Sequence, residues 1–223
     1  MNQLEFEQMS KSAISPVQTL DPNNPPEALF FRGARPLSRV EWESLFRLAA
    51  RKPRNRALFG LLYFAALRIS EATNIRWEDL AFSSDAAKPG ALRLRRQATK
   101  GKRVGMNLPL HPQAQAALKT WLSALQRKQK VSPRDFVFPG KTTGSRLSRI
   151  SAWETAKRLY AKAGMTSRGY ALHSLRKGAA GALLAMTNNV EIVRQTLRHA
   201  RLETTQAYLS EDAGAVADAM LRL

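Results

Sequence analysis

The chain has 223 residues, 44% of them hydrophobic, which is enough for the core of one globular domain. Its 36 lysines and arginines outnumber 17 acidic residues and leave a net charge of +19, which indicates a polyanionic partner. The absence of cysteine excludes disulfides and thiolate metal sites and is compatible with a reducing cytosol. Nucleic acid is favoured over a membrane, because no apolar run approaches the ~20 residues of a membrane span and the first residues lack a signal-peptide pattern.

The first predicted helix follows a segment of different composition. Residues 1–35 are rich in proline and asparagine, which predicts a leader or linker with no core of its own. Ser38 and Glu41 then match the S-x-x-E capping box, and Leu37 and Trp42 have the spacing of a hydrophobic staple. Together these features predict that a helix begins here.

A buried helix and a β-hairpin are predicted next. The first helix is expected to end at Arg51, and the almost wholly apolar stretch at 54–67 predicts a core helix that Arg68 follows directly. The segments 91–96 and 104–110 alternate between apolar and polar residues, with the turn-like A-T-K-G-K between them. They predict two antiparallel strands joined by a basic tip.

The rest of the chain is predicted to be mostly helical. Turn-forming S-P-R-D, F-P-G-K-T-T-G and T-N-N separate helical patterns at 112–128, 148–163, 173–186, 189–198 and 203–209. The expected fold class is therefore α+β, mainly α with a small antiparallel β-sheet. One domain is expected over 36–223, with a C-terminal tail from about residue 210.

Six side chains are suited to phosphate chemistry, although none is a strong signal alone. A lone arginine or lysine is more often a surface cation, and a lone tyrosine a packing residue. His173 and Arg176 lie on one face of the first turn of a predicted helix, where the N–H groups and the helix dipole favour a bound phosphate. The six candidates are Arg68, Lys100, His173, Arg176, His199 and Tyr208.

The order and spacing of these six residues form one pattern. The chain resembles the catalytic domain of tyrosine recombinases, the family that includes the phage integrases, and most closely its short members that invert DNA segments. From His173 to Tyr208 the spacing of the motif residues follows that family through 36 consecutive positions. The matching motifs are L-R-I-S-E at 67–71, T-K-G-K at 99–102, H-S-L-R at 173–176, L-R-H at 197–199 and T-T-Q-A-Y at 204–208.

The resemblance implies phosphoryl transfer through a covalent intermediate. Arg68 and Arg176 would hold the non-bridging oxygens of a DNA phosphate through forked, charge-assisted hydrogen bonds, and His199 would donate another. Tyr208 would attack phosphorus and form a 3′-phosphotyrosyl link that retains the energy of the broken bond. On this chemistry no ATP, metal ion or other cofactor is expected.

Two further groups are assigned to proton transfer by the same resemblance. Tyr208, whose ordinary pKa is about 10, would lose its proton during attack, with His173 as the acceptor or orienting group. Lys100 at the hairpin tip occupies the family's lysine-before-glycine position and is the expected general acid for the 5′ oxygen. Lys102 is the alternative acid.

The expected partner is double-stranded DNA, and no membrane partner is expected. The resemblance implies a homotetramer on two DNA sites in the cytoplasm, associated with the nucleoid when bound. An accessory DNA-binding protein would supply the helical clamp domain for which residues 1–35 leave no room. The tail at 210–223 is weakly amphipathic and suits either docking on a neighbouring protomer or packing on its own domain. The expected DNA contacts are Arg93, Arg95, Arg96, Lys102, Arg103 and Arg198.

Three positions depart from the family's usual pattern, and two other functions stay open. Arg198 stands in the L-G-H motif where glycine is usual, and Ala66 and Thr187 occupy other frequent glycine positions. Arg198 is expected either to reposition its turn or to add a phosphate contact. The alternatives are a type IB topoisomerase, which shares the residue set, and a catalytically silent DNA-binding regulator, for which Arg198 is the only support.

Overall fold

The computed structural model describes most of the predicted domain. Three predicted features lie outside the described residues: the leader as far as residue 33, the hairpin tip at 96–104 and the tail at 210–223. Of residues 207–209 only the backbone is described. The described residues are 34–95, 105–165 and 169–209.

Helices predominate along these residues, and the strands are short. The elements follow in the order α1 (Arg39–Ala49), α2 (Pro53–Phe64), α3 (Ile69–Thr73), a 3₁₀ turn (Trp77–Asp79), β1 (Leu80–Ala81), β2 (Gly90–Leu94), β3 (Met106–Leu110), α4 (Pro112–Gln126), α5 (Arg149–Lys162), α6 (Leu172–Thr187), α7 (Val190–Leu197) and α8 (Leu202–Leu209). The predicted class, mainly α with a small antiparallel sheet, is confirmed. Within the described ranges, no helix is both long enough and apolar enough to cross a membrane.

Helix α1 begins with the predicted capping box. The Oγ of Ser38 accepts a hydrogen bond from the backbone N–H of Glu41 at 3.2 Å. In return, Oε2 of Glu41 accepts one from the backbone N–H of Ser38 at 2.8 Å. Both bonds use N–H groups that a helix start otherwise leaves unsatisfied. The two residues predicted to form the hydrophobic staple are also buried. The helix ends at Ala49, slightly before the predicted end at Arg51.

Helix α2 is the central element of the core. Its residues 57–63 are all buried, and it packs against α1, α4 and α6. Trp42 of α1 stacks on Tyr63 of α2 with ring centroids 3.9 Å apart. The helix ends at Phe64, earlier than predicted, because Ala66 has a φ of 44°, a left-handed conformation that a right-handed helix cannot include.

The sheet contains the predicted hairpin and one further strand. Strands β2 and β3 pair antiparallel, with Leu92 opposite Leu108, and β1 adds to the other edge of β2 with Leu80 opposite Leu92. Alternation along β2 buries Leu92 and Leu94 and leaves Arg93 exposed. Sequence periodicity does not reveal α3, the 3₁₀ turn or β1, since segments of five, three and two residues are too short to show a period.

Helix α6 packs closely against the residue that precedes the capping box of α1. A Cβ added at Gly178 would lie 2.6 Å from the carbonyl oxygen of Leu37, so the two backbones are almost in contact. The amide of Leu37 donates to the carbonyl of Ser174 at 3.3 Å. The Oγ of Ser174 accepts the amide of Ala171 at 2.9 Å and caps the helix. These contacts fix the first turns of α6, which carry the H-S-L-R motif.

Candidate active site

Arg68 lies at the N-terminus of α3 and is held there by Glu71. Its amide donates to Oε2 of Glu71 at 2.7 Å, and its Nη1 donates to Oε1 at 3.0 Å. The side chain of Glu71 is 1% exposed, whereas that of Arg68 is 26% exposed. The carboxylate therefore fixes the direction of the guanidinium while part of the arginine stays accessible to a ligand.

Arg176 reaches the same carboxylate from α6. Its side chain is 1% exposed, and its Nη1 lies 3.9 Å from Oε2 of Glu71. Nη1 also donates to the carbonyl of Ala66, and Nη2 donates to the carbonyl of Leu197. Arg176 thus joins the loop that precedes α3 to the end of α7.

The guanidinium of Arg198 points into the protein. The side chain is 7% exposed, and its Nη2 donates to Oε2 of Glu71 at 2.8 Å and to the carbonyl of Ala66 at 3.0 Å. Nη1 donates to the carbonyl of Thr196 at 3.0 Å. Of the two expectations for Arg198, this geometry favours the one in which it shapes its own turn, because oxygens of the protein accept hydrogen bonds from Nη1 and Nη2. The expected DNA contact stays a prediction.

His199 follows in the same turn and is bonded to α8. It is 8% exposed, and its Nδ1 lies 3.0 Å from Oγ1 of Thr205, which is fully buried. Its carbonyl accepts Nη1 of Arg194 at 2.7 Å. Tyr208 lies in α8 one turn beyond Thr205, and its backbone alone is described. The bond between the histidine and the threonine therefore sets the position of the helix that carries the candidate nucleophile.

Burial and nearby positive charges together disfavour protonation of the two motif histidines. His173 is at the surface of α6, and partial burial, then the charges of Arg176 and Lys177, lower its pKa to about 4. Burial, then the charges of Arg176 and Arg68, lower the pKa of His199 to about 4. Both imidazoles are therefore neutral at physiological pH, and the positive charges that contribute to this also favour an anionic ligand.

The predicted DNA contacts of the hairpin differ in their surroundings. Arg93 on β2 is 60% exposed, with its Nε 3.6 Å from Asp79. Arg95 forms ion pairs with Glu78 and with Asp79, whose Oδ1 lies 2.7 Å from its Nε. These pairs hold Arg95 against the 3₁₀ turn, and its expected DNA contact stays a prediction. The remaining hairpin candidates lie outside the described residues: Arg96, Lys100, Lys102 and Arg103.

Sequence reasoning does not single out three buried polar residues of this region. Glu71, Lys177 and Thr205 are 1%, 7% and 0% exposed. A signal was present for two of them, because Glu71 lies three positions after Arg68 and Thr205 three before Tyr208, which places each pair on one helix face. Where the structure describes the chain, no group of three or more metal-ligating side chains is present.

The profile of the phage integrase family matches residues 23–214. The chain belongs to this family. The match includes every motif on which the resemblance rests, from L-R-I-S-E to T-T-Q-A-Y. The family predicted from the sequence is therefore confirmed.

Similar members of the family are named tyrosine recombinases. XerC of Xanthomonas campestris is 31% identical over 163 residues, which are 71% of this chain and 45% of that protein. XerD of Mycobacterium tuberculosis is 34% identical over 155 residues, 70% of this chain and 47% of that protein. XerC of Chromobacterium violaceum is 32% identical over 190 residues, which are 84% of this chain and 56% of that protein. The chain spans about half the length of the curated relatives it matches.

Solved recombinases share the fold. The XerH site-specific recombinase bound to its palindromic difH substrate superimposes with a TM-score of 0.69 at 22% identity, over 84% of this chain and 52% of that one. The XerA recombinase gives a TM-score of 0.69 at 18% identity, over 98% of this chain and 72% of that one. At these identities the likeness concerns the arrangement of helices and strands.

Proposed function

We propose that this chain is the catalytic domain of a site-specific DNA recombinase, which cleaves and rejoins strands through a 3′-phosphotyrosyl intermediate. The observation that carries the proposal is the convergence of Arg68, Arg176 and His199 from distant parts of the sequence. Glu71 lies 3.0 Å from Arg68 and 3.9 Å from Arg176. Arg176 in turn bonds the carbonyl of Leu197, in the L-R-H motif that ends with His199.

Tyr208 is the proposed nucleophile, and the register of α8 supports this role. Thr205 of α8 lies 3.0 Å from the imidazole of His199, so this face of the helix is turned towards His199. Position 208 is three residues further along and shares that face. A tyrosine here is suited to attack a phosphate held by Arg68 and Arg176.

The proposed reaction forms one bond and breaks one. The Oη of Tyr208 attacks phosphorus while the bond from phosphorus to the 5′ oxygen breaks, which leaves a 3′-phosphotyrosine and a 5′ hydroxyl. The phenolic proton passes to His173, whose imidazole is neutral because its pKa is about 4. Lys100 protonates the departing 5′ oxygen. Arg68 and Arg176 offset the charge that develops on the non-bridging oxygens.

The proposed partner is double-stranded DNA. The net charge of +19 supports a polyanionic partner, and the similar XerH recombinase was solved with a difH substrate. We further propose that four protomers assemble on two DNA sites, because exchange between two duplexes requires four cleaved strands. The assembly would act in the cytoplasm at the nucleoid.

Covalent trapping tests the proposed function. On a nicked suicide substrate, built on the site that footprinting locates near the chain's own gene, the short 5′ fragment diffuses away and the reverse nucleophile is lost. The wild-type chain is expected to accumulate a protein–DNA adduct, seen as a shifted band under denaturing conditions. Tyr208→Phe is expected to form no adduct while it still binds the DNA.

Another tyrosine provides the matched control for this experiment. Tyr170→Phe removes a hydroxyl that donates to Glu41 and has no role in the proposed reaction, so this variant is expected to keep the adduct. An adduct that persists in Tyr208→Phe would contradict the assignment. Site-specific binding without any adduct would indicate the silent regulator, and relaxation of supercoiled DNA without strand exchange would indicate the topoisomerase.

A further inference from the structure

The turn that carries His199 has an unusual backbone for its sequence. Arg198 adopts φ 58° and ψ 40°, in the left-handed region that favours glycine. An arginine strains the backbone there unless other contacts fix it. The side chain of Arg198 provides such contacts.

The guanidinium of Arg198 connects its own turn to the loop before Arg68. Within the turn, Nη1 donates to the carbonyl of Thr196 at 3.0 Å. Across the fold, Nη1 lies 3.3 Å from the carbonyl of Ala65, and Nη2 donates to the carbonyl of Ala66 at 3.0 Å. These two carbonyls are 133 and 132 residues away in sequence, so the contacts join parts of the chain that no local structure would hold together.

Ala66, which accepts one of these hydrogen bonds from Arg198, is the second strained residue of this region. Ala66 has a φ of 44°, again in the left-handed region. Its carbonyl accepts both Nη1 of Arg176 and Nη2 of Arg198. A hydrogen bond therefore joins Arg198 to Ala66, two residues whose backbone conformation would suit glycine. The carbonyl of Ala66 also accepts a hydrogen bond from Arg176 of the candidate phosphate site.

Glu71 is the second anchor of Arg198. Its Oε2 accepts the amide of Arg68 at 2.7 Å and Nη2 of Arg198 at 2.8 Å, while Oε1 accepts Nη1 of Arg68 at 3.0 Å. One carboxylate thus divides its charge between two arginines. Without Arg198, Arg68 would be the only hydrogen-bonded cation of Glu71 among the described residues and would be drawn further from a ligand phosphate.

We propose that Arg198 is a positioning residue for the strand-cleavage reaction, an inference that rests on the proposed function. It holds the His199 turn against the Arg68 loop, and it shares Glu71 so that Arg68 remains available to the phosphate. On this proposal Arg198 acts through contacts within the protein and not on a DNA phosphate. Its effect is therefore on the rate of cleavage and not on the affinity for DNA.

Single-turnover cleavage of the suicide substrate tests this role. Arg198→Gly keeps the left-handed turn without strain and removes only the guanidinium contacts. We expect its cleavage rate to fall at least about tenfold, because small misplacements of catalytic groups have effects of this size. Its dissociation constant for DNA should stay within about threefold of wild type, since the residue contacts no phosphate. Arg198→Lys keeps the positive charge but lacks the forked donors of the guanidinium, and it should recover part of the rate.

Two further variants separate positioning from loss of charge and from unfolding. Arg201→Ala removes one positive charge from an exposed residue of the same segment, and it measures how far charge alone alters affinity and rate. A double-mutant cycle of Arg198→Gly with Glu71→Gln tests the route of the effect. Because Arg198 acts through Glu71, its removal should slow cleavage less in the Glu71→Gln background than in wild type. Urea unfolding confirms that each variant is folded.

The outcomes distinguish this inference from the function on which it rests. A wild-type adduct, slower cleavage by Arg198→Gly at similar affinity, and a non-additive cycle would support both. A wild-type adduct with unchanged cleavage by Arg198→Gly, or with affinity and rate lost in equal measure, would overturn the role of Arg198 alone. The absence of a wild-type adduct would overturn the proposed function, and the inference would fall with it.

Discussion

Glu71 keeps its negative charge inside the protein because three guanidiniums surround it. Burial by itself would raise its pKa, but the charge of Arg198, the amide of Arg68 and the charge of Arg176 outweigh burial and lower the pKa below its ordinary value. Removal of the carboxylate would leave the nearly inaccessible cations of Arg176 and Arg198 without their counter-charge, which is costly in a region that excludes water. The fixed guanidiniums of the site therefore depend on one buried acid.

His199 makes the stability of the folded chain depend on pH. Its pKa is lowered to about 4 from the ordinary 6.5, so between these values the folded chain binds fewer protons than the unfolded chain. The free energy of unfolding should therefore fall as the pH is lowered from 6.5 to 4. His199→Asn should make this dependence shallower, by at most about 1.4 kcal/mol per pH unit. Urea unfolding of both proteins across this range measures the difference.

The same titration contains its control. Above pH 7 neither histidine of the site changes charge, so the wild type and His199→Asn should lose or gain stability in parallel between pH 7 and 8. His173 shares the lowered pKa and should preserve part of the acid dependence in the variant. Identical slopes for the two proteins below pH 6.5 would show that His199 titrates normally in the folded chain.

At the scale of elements, the position of α6 determines where the H-S-L-R motif lies. The helix approaches the residue before the α1 capping box so closely that only a glycine fits at Gly178, where an added Cβ would be 2.6 Å from the carbonyl oxygen of Leu37. Gly181 lies on the same helix, and no atom is within 4 Å of an added Cβ there. The two glycines therefore share a helix but differ in packing.

This difference predicts opposite effects of the same substitution. Gly181→Ala should raise the free energy of unfolding by roughly 0.5–1 kcal/mol, because alanine loses less backbone entropy in a helix. Gly178→Ala gains the same propensity but must displace the backbone of Leu37, and it should lower the free energy of unfolding by about 1–3 kcal/mol. Urea unfolding of the two variants side by side is the measurement. Similar effects at both positions would mean that α6 does not pack tightly on Leu37.

At the scale of the whole molecule, the arginines that contribute to the net charge of +19 differ in how far their side chains are exposed. The side chain of Arg198 is 7% exposed and bonded to Glu71, and Arg95 is held by two acidic residues. Arg93 is 60% exposed on the hairpin. Net charge alone therefore overstates how many arginines can meet a DNA phosphate.

The salt dependence of DNA binding should reveal this distribution. The logarithm of the affinity should fall linearly with the logarithm of the salt concentration, because bound cations release counterions from DNA. Arg93→Gln should reduce the slope by about one, as expected for the loss of a phosphate contact. Arg95→Gln is the matched control and should leave the slope nearly unchanged, since Glu78 and Asp79 engage its guanidinium. Equal slopes for Arg93→Gln and wild type would remove Arg93 from the interface.

The sequence by itself determined the features that depend on neighbours along the chain. The capping box of Ser38 and Glu41, the hairpin and most helices rest on patterns within a few residues, and the structure agrees with them. The family could also be predicted, because the order and spacing of its motifs are properties of the sequence alone. The early end of α2 could not be predicted from the sequence. The left-handed conformation of Ala66 that ends this helix is held by Arg176 of α6 and Arg198 of the α7–α8 turn, which donate hydrogen bonds to its carbonyl.

Only the tertiary structure decided which basic side chains are bonded to acids and carbonyls of the protein. Sequence reasoning expected Arg95 to contact DNA as part of the basic hairpin, and Arg198 either to reposition its turn or to contact a phosphate. The fold instead brings Glu71 to Arg198 across 127 residues and Asp79 to Arg95 across 16. The direction of a long charged side chain depends on the acids and carbonyls that packing places within its reach, and those partners are not neighbours in the sequence.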